Sequence, residues 1–265
     1  MDVRIENAAG VRWVRLRPTT GIDELLDLDG ALGTARLVDG LLCDGPGFLA
    51  GRGQVDRLAL WEFDLVVAAI YRELFGEQIE CSAPCESCGE GIGIAFSLDD
   101  LVTEQHHLDA DDAEILECID GPDDGGVITL RPDIRFRLPT VGDVTEATRS
   151  RDPGGVLLRR CVLDDAGAYA EAVDRAMALL GPRLATELDD TPCPTCGYVQ
   201  QVSFDLESFT RRAIERERSL VVREVHLLAR TYHWSRAEIL EMPRVQRQWH
   251  VGLILGEAAA RRAHA

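Results

Sequence analysis

The sequence predicts an α+β protein: a mainly helical body, a small two-knuckle element carried by four cysteines, and a C-terminal helical arm. Three observations predict it. Two CxxC turns stand far apart in the chain, each followed by a glycine and then a strand-like run. Helical apolar stripes precede the first turn and follow the second. Between the turns lies an insertion of about ninety residues in which strand-like alternation gives way to helical spacing.

Arg12 to Arg17 reads as the first strand. Asp44 to Gln54, DGPGFLAGRGQ, is glycine-rich but lacks the Lys-Ser/Thr ending of a phosphate-binding loop, so it reads as a connector. Val55 to Phe75 reads as a helix; Leu58, Leu65, Ala69 and Leu74 form its stripe, broadened by Trp61 and Val66. In the insertion, residues 99–124 hold eleven acids and no arginine, which reads as a solvated surface. VITLRP and IRFRLP alternate as strands. Helices are expected from near Val141, over Leu157 to Leu163, and over Tyr169 to Leu180.

A single offset of 108 lays CESCGEGIGIAFSLDDL (Cys85 to Leu101) on the run from Cys193 to Phe209. Cys85 falls on Cys193, Cys88 on Cys196, Gly89 on Gly197, Phe96 on Phe204, Leu98 on Leu206 and Leu101 on Phe209. This is a repeated local structure. Two cysteines so spaced wrap one ion from a tight turn, and the glycine lets the chain reverse with positive φ. Zn²⁺ takes four tetrahedral ligands, at about 2.3 Å from sulfur. Cys85, Cys88, Cys193 and Cys196 fill all four positions, which makes a structural zinc ribbon. Each CxxC has other readings: a local disulfide, a redox pair, or unliganded thiols. A redox pair is expected to open a helix, and here glycine and a strand follow both. Cys81 stands close enough in sequence to compete as a ligand. Cys43, Cys118 and Cys161 have no partner pattern and read as buried small apolar residues.

From Leu206 to about Tyr232 the chain reads as a long amphipathic helix, with Ile214, Val221, Val225, Leu228 and Tyr232 in a coiled-coil-like seam and Arg218 at its weak position. Packing within the chain is the commoner meaning of such a stripe; an intermolecular seam is the sharper one. Ser235 and Glu238 form a capping box for a short helix. Pro243 stands where a last helix begins. Three regions result: 1–84, an N-terminal strand and helix region; 85–209, the zinc-ribbon body with an inserted α/β segment at about 102–192; and 210–265, the helical arm. Cutting the chain after Ser208 is expected to leave an intact body.

The net charge is −18, yet Thr210 to Ala265 carries +5, so the rest carries −23. Such a surface repels phosphate and argues against direct nucleic-acid contact. The most apolar run, Leu65 to Tyr71, is too short for membrane insertion. The opening MDVRIENAAG has no basic region leading an apolar run, so no secretory signal is expected. Eight cysteines in that setting point to a reducing, cytoplasmic location and to metal over disulfides. HExxH, GxSxG and P-loop motifs are absent. His106 and His107 lie in an acidic run and read as solvated; His226 and His233 read as structural. No catalytic residue is expected.

The last third carries a further pattern. CPTCG, FDLESF and REVHLLARTYHWSRAEILEMPRVQRQ together resemble baseplate-hub assembly proteins of T-even-type contractile phage tails and their relatives in contractile injection systems. The residues that carry the likeness are Cys193, Cys196, Phe204, Glu224, His226, Leu227, Tyr232, Trp234, Glu238, Ile239, Leu240, Pro243, Arg244 and Arg247. RELFGEQIE before the first knuckle and RLPTVGD share the likeness. The resemblance implies a non-enzymatic role, chaperone-like or structural, in building a baseplate hub. Its implied partners are hub or spike proteins, and its implied location includes the assembled particle. Tyr232, Trp234, Arg244, Arg247 and Trp249 are the candidate partner surface; the aromatics read equally as core residues closing a helical hairpin. A zinc-ribbon adaptor for another complex and a dithiol oxidoreductase are the rival readings.

Overall fold

The computed structural model describes every residue except 8, 9, 31, 104–109, 124, 132, 166, 182, 264 and 265. His106 and His107 therefore lie outside the described residues. The chain is of mixed helix and strand. It opens with an antiparallel hairpin, β1 (Asp2–Asn7) and β2 (Gly10–Arg15), which buries Val3, Ile5 and Val14 on one face. The sequence shows only the second strand, and places it two residues late. Two short helices follow, α1 (Gly21–Glu24) and α2 (Gly33–Leu41). The second has no sequence expectation because Gly33 and Gly40 weaken its propensity. Gly33 is nevertheless required: a Cβ there would lie 1.8 Å from the Leu28 carbonyl oxygen.

The expected helix from Val55 splits in two. Val55–Arg57 forms a separate 3-10 turn, Leu58 and Ala59 are extended, and α3 runs from Leu60 to Phe75. The Glu62 carboxylate sets that start by accepting the Ala59 N–H at 2.9 Å. Next come the hairpin β3 (Gln78–Pro84) and β4 (Gly91–Ser97), and helices α4 (Leu98–Thr103) and α5 (Ala110–Glu117). A three-stranded antiparallel sheet follows in the order β5 (Ile119–Asp120), β6 (Val127–Leu130), β7 (Ile134–Arg137). Helices α6 (Val141–Ala147), α7 (Pro153–Cys161) and α8 (Ala170–Leu180) complete the insertion. The α7 helix lies earlier than expected because Asp152 caps it, accepting the Gly155 N–H at 3.0 Å, and Pro153 opens it. A last hairpin, β8 (Ala185–Pro192) and β9 (Val199–Asp205), leads into α9 (Leu206–Tyr232), α10 (Arg236–Glu241) and α11 (Arg244–Ala263).

One main core crosses all three expected regions. It joins Val3, Ile5 and Val14, the inner face of α3, Ile79 of the first hairpin, Leu98 and Leu101, and Phe204, Leu206, Phe209 and Ile214 from the far end of the chain. The expectation for the cut after Ser208 is therefore corrected: it would remove Phe209 and Ile214 from the core of the body. The insertion holds a second small core of Ile128, Leu130, Ile134, Phe136, Val173 and Ala176. It is tied to the body by Asp64 on α3, which accepts from Arg183 Nε at 2.6 Å and from the Leu184 N–H at 2.8 Å.

Asp143 is the buried polar hub of the insertion. It accepts from Arg137 at 2.5 and 2.8 Å, from Arg160 at 2.7 Å and from the Thr140 N–H at 3.0 Å. Burial alone would raise its carboxyl pKa, but these donors hold it far below the usual carboxylate range. A depressed folded-state pKa contributes stability that is complete above the unfolded value of about 3.9 and is lost as pH falls below it. Asp143→Asn is expected to cost about 3 kcal/mol at neutral pH and to flatten the acid limb of the stability curve. Urea titrations of both proteins across that limb check it; parallel limbs would refute it.

The long helix runs over the residues expected and is about 40 Å long. Asp205 caps its start, accepting the Ser208 N–H at 2.8 Å, and His233 ends it in the left-handed conformation at φ 57°. Its seam is intramolecular at the described contacts: Ile214 joins the main core, and Leu228 packs with Ile239 and Ile254 of the two following helices. Arg218 donates to the Leu26 carbonyl, so the weak seam position is a tie to the body. The Ser235–Glu238 capping box is present. Of the three cysteines expected to be buried, only Cys161 is; Cys43 is half-buried and Cys118 exposed. Cys118 follows α5 directly, and its neighbours Ile115 and Ile119 take the inward positions.

Candidate metal centre

Each CxxC lies in the turn of a hairpin, and the two turns meet. In the first, the Cys85 N–H donates to the Glu90 carbonyl and the Gly89 N–H to the Cys85 carbonyl, both at 2.8 Å. In the second, Cys193 and Gly197 repeat both bonds at 2.8 and 2.9 Å, to Tyr198 and Cys193. Gly89 and Gly197 sit at φ 77° and 73°, where a side chain would be strained. The repeat read from sequence is thus a repeated backbone, and its aromatic pair meets as well. Phe96 and Phe204 pack edge to face with centroids 4.9 Å apart.

The four sulfurs of Cys85, Cys88, Cys193 and Cys196 all lie within 4.8 Å of one another. Cys85 to Cys196 and Cys88 to Cys193 are each 3.7 Å. A disulfide requires about 2.05 Å, so these are not bonded pairs. A tetrahedral ion with bonds of about 2.3 Å to sulfur separates its ligands by about 3.8 Å. The donor set fits such an ion in spacing and chemistry, and among the described residues no fifth ligand joins the cluster. Cys81 does not join it; it lies in β3 opposite Ile94. Cys85 and Cys193 are buried beside Ile92, while Cys88 and Cys196 face outward.

The electrostatics of the four thiols favour a cation among them. Backbone N–H groups of Cys196 and Thr195 point at the Cys193 sulfur and bring its pKa down to about 6. Cys88 receives the Glu90 N–H, yet desolvation and the three neighbouring sulfurs push it up to about 12. The first thiolate forms readily and the last resists. A bound cation reverses that cost.

Gln200 clamps the two turns together, a role the sequence reading missed. Its side-chain oxygen accepts the Glu86 N–H at 2.8 Å and its Nε2 donates to the Pro84 carbonyl at 3.1 Å. The available signal was the repeat itself, where Gln200 replaces the apolar Ile92. Gln200→Leu is expected to speed metal loss to a chelator several-fold, about 1 kcal/mol of local stability, with the fold unchanged. A chromogenic chelator assay with circular dichroism checks this.

The candidate partner residues divide. Arg247 is 0% exposed, held between Glu24 and Glu224 at 2.5 Å each. Arg244 is nearly buried, paired with Glu24 at 2.6 Å and with Glu217, and stacked over Phe75. Neither is available to a partner, which corrects that expectation: both latch α11 onto α1. Tyr232 and Trp234 stack at 4.7 Å, half-buried, and His250 abuts both edge-on. They close the turn between α9 and α11. Trp249 alone points outward, 61% exposed. His226 and His233 are exposed, and neither belongs to the cysteine cluster. No helix of the described residues is long and apolar enough to cross a membrane.

The site defines a protein whose two distant hairpins meet at a four-sulfur cluster. Comparison with protein-family models, curated proteins and solved structures gives no match.

Proposed function

We propose that the protein is a non-enzymatic structural or assembly factor for the baseplate hub of a contractile tail-like particle, with Zn²⁺ held architecturally by Cys85, Cys88, Cys193 and Cys196. One observation carries the assembly reading. The run from Cys193 to Arg247 resembles hub assembly proteins, and its conspicuous residues have architectural positions in this chain. Glu224 and Arg247 form a buried ion pair, and Tyr232 and Trp234 close the helical turn. The all-sulfur donor set supports a closed tetrahedral site, for which zinc is the commonest redox-silent occupant. When bound, the ion supplies a cross-link with no open position for substrate.

The assembly role is tested by co-expressing the full chain with hub and spike proteins of a contractile particle from the same source and by deleting its gene. A stable complex and particles lacking a hub are expected; normal particles without the gene would overturn the role. The metal is tested by elemental analysis and native thiol alkylation. One zinc per chain and four protected cysteines are expected, which also excludes the dithiol oxidoreductase. Alkylation of all four under native conditions would sink the zinc assignment.

A further inference from the structure

We propose that a groove beside the metal centre binds an extended, acidic peptide segment of another protein by strand addition to the free edge of β3. This does not rest on the assembly role. The groove, of about 520 Å³, is lined by two runs of consecutive residues, Cys81 to Ala83 on β3 and Val202 to Phe204 on β9. Consecutive residues of extended strands line a groove when their edges, not their faces, turn toward it. It continues past Phe209 and Arg216 into a second hollow of about 440 Å³ that reaches Gln78 and Glu80.

The register fixes which backbone groups face this groove. Cys85 bonds to Glu90 and Leu98 to Glu77 across the first hairpin. Alternation then directs residues 79, 81 and 83 toward β4 and residues 78, 80, 82 and 84 away from it. Two of the outward carbonyls are taken: Gln78 by the Tyr71 hydroxyl at 2.9 Å and Pro84 by Gln200. Glu80 and Ser82 keep an outward N–H and C=O each, with no hydrogen-bond partner in the described chain. On β9 the same reasoning turns Ser203 outward. Such an open window is a template for an added strand.

Charge selects the strand. Most arginines of this acidic protein pair with carboxylates, but Arg212 and Arg216, one helical turn apart on α9 at the groove wall, form no ion pair among the described residues, while Glu215 between them is held by Arg211. Arg212 donates to the Ser208 carbonyl, and Arg216 lies over the Phe209 ring at 5.8 Å. Their free guanidinium edges suit a carboxylate from the incoming segment. Apolar side chains alternating with it would meet Ile94, Val202 and Phe209.

Three blocked hexapeptides serve as probes, Thr-Val-Xaa-Val-Thr-Val with Glu, Gln or Lys at Xaa, titrated into the zinc-loaded full chain. The glutamate peptide is expected to slow amide exchange at Glu80, Ser82 and Ser203 about tenfold and to bind about tenfold more tightly than the lysine peptide. Ser82→Pro removes one outward donor and the Arg212→Glu, Arg216→Glu double variant removes the cationic wall. Each is expected to abolish the effect with zinc content unchanged. The proposal fails if no peptide slows those amides at millimolar concentration, or if the double variant keeps the glutamate preference. It fails too if self-association protects the amides without peptide, which would place a second copy there.

Discussion

Cys193→Ser is expected to unfold the body as a unit and not merely loosen its own hairpin. Cys88 and Cys193 stand 105 residues apart, so the ion would close a long loop. Closing such a loop costs on the order of 4 kcal/mol in chain entropy. Structural zinc in small peptides supplies about 10–16 kcal/mol, which exceeds that cost. The hairpins it holds also feed the main core directly, through Ile79 from one and Phe204 and Leu206 from the other. A lost ligand therefore frees both hairpins and the helices beneath them. The melting temperature should fall by more than about 10 °C, with amide protection lost together in β3, β9 and α3. Treating the parent with a metal chelator should reproduce the pattern. A variant that melts with the parent, or loses protection only around β8 and β9, would show that the clip is local.

The four-cysteine cluster was legible because it rests on a local rule applied twice. A CxxC turn followed by glycine has one backbone solution, and a constant offset reveals that the chain uses it twice. The long helix was legible for a similar reason, since the residues of its stripe are close neighbours in sequence. What escaped the sequence depends on pairs far apart. Arg247 looks like a surface residue until Glu24, 223 residues away, is placed beside it. Gln200 looks like a polar strand residue until Pro84 and Glu86 come within reach. Of the β1–β2 hairpin only the first strand escaped, because just Val3 and Ile5 mark its buried face. For Arg247 and Gln200 the deciding contact forms at the level of packing, beyond any window of sequence.

Arg247→Leu is expected to detach the last helix while leaving the four-cysteine cluster in place. The Arg247 guanidinium is buried between Glu24 and Glu224, and burial alone would lower its pKa; the two carboxylates reverse that and hold it above its ordinary value. Removing one partner leaves a buried carboxylate at Glu24 with Arg244 as its remaining cation. Breaking a buried pair this way costs about 3–5 kcal/mol. Arg244 donates its N–H to the Thr19 carbonyl, and Thr20 bridges Pro243, so the cost falls where α11 meets the body. Gly21 marks how close the approach is, since a Cβ there would lie 2.8 Å from the Arg247 guanidinium. Exchange protection should drop across α10 and α11 and the urea midpoint should fall by about 1 M, with zinc retained. The triple variant Arg247→Leu, Glu24→Gln, Glu224→Leu should recover part of the loss, because uncharged groups need no counter-ion. Unchanged protection in α11 in the single variant would mean that the helix is held by Leu228, Ile239 and Ile254 alone, and that the buried charges fix its register without contributing to its stability.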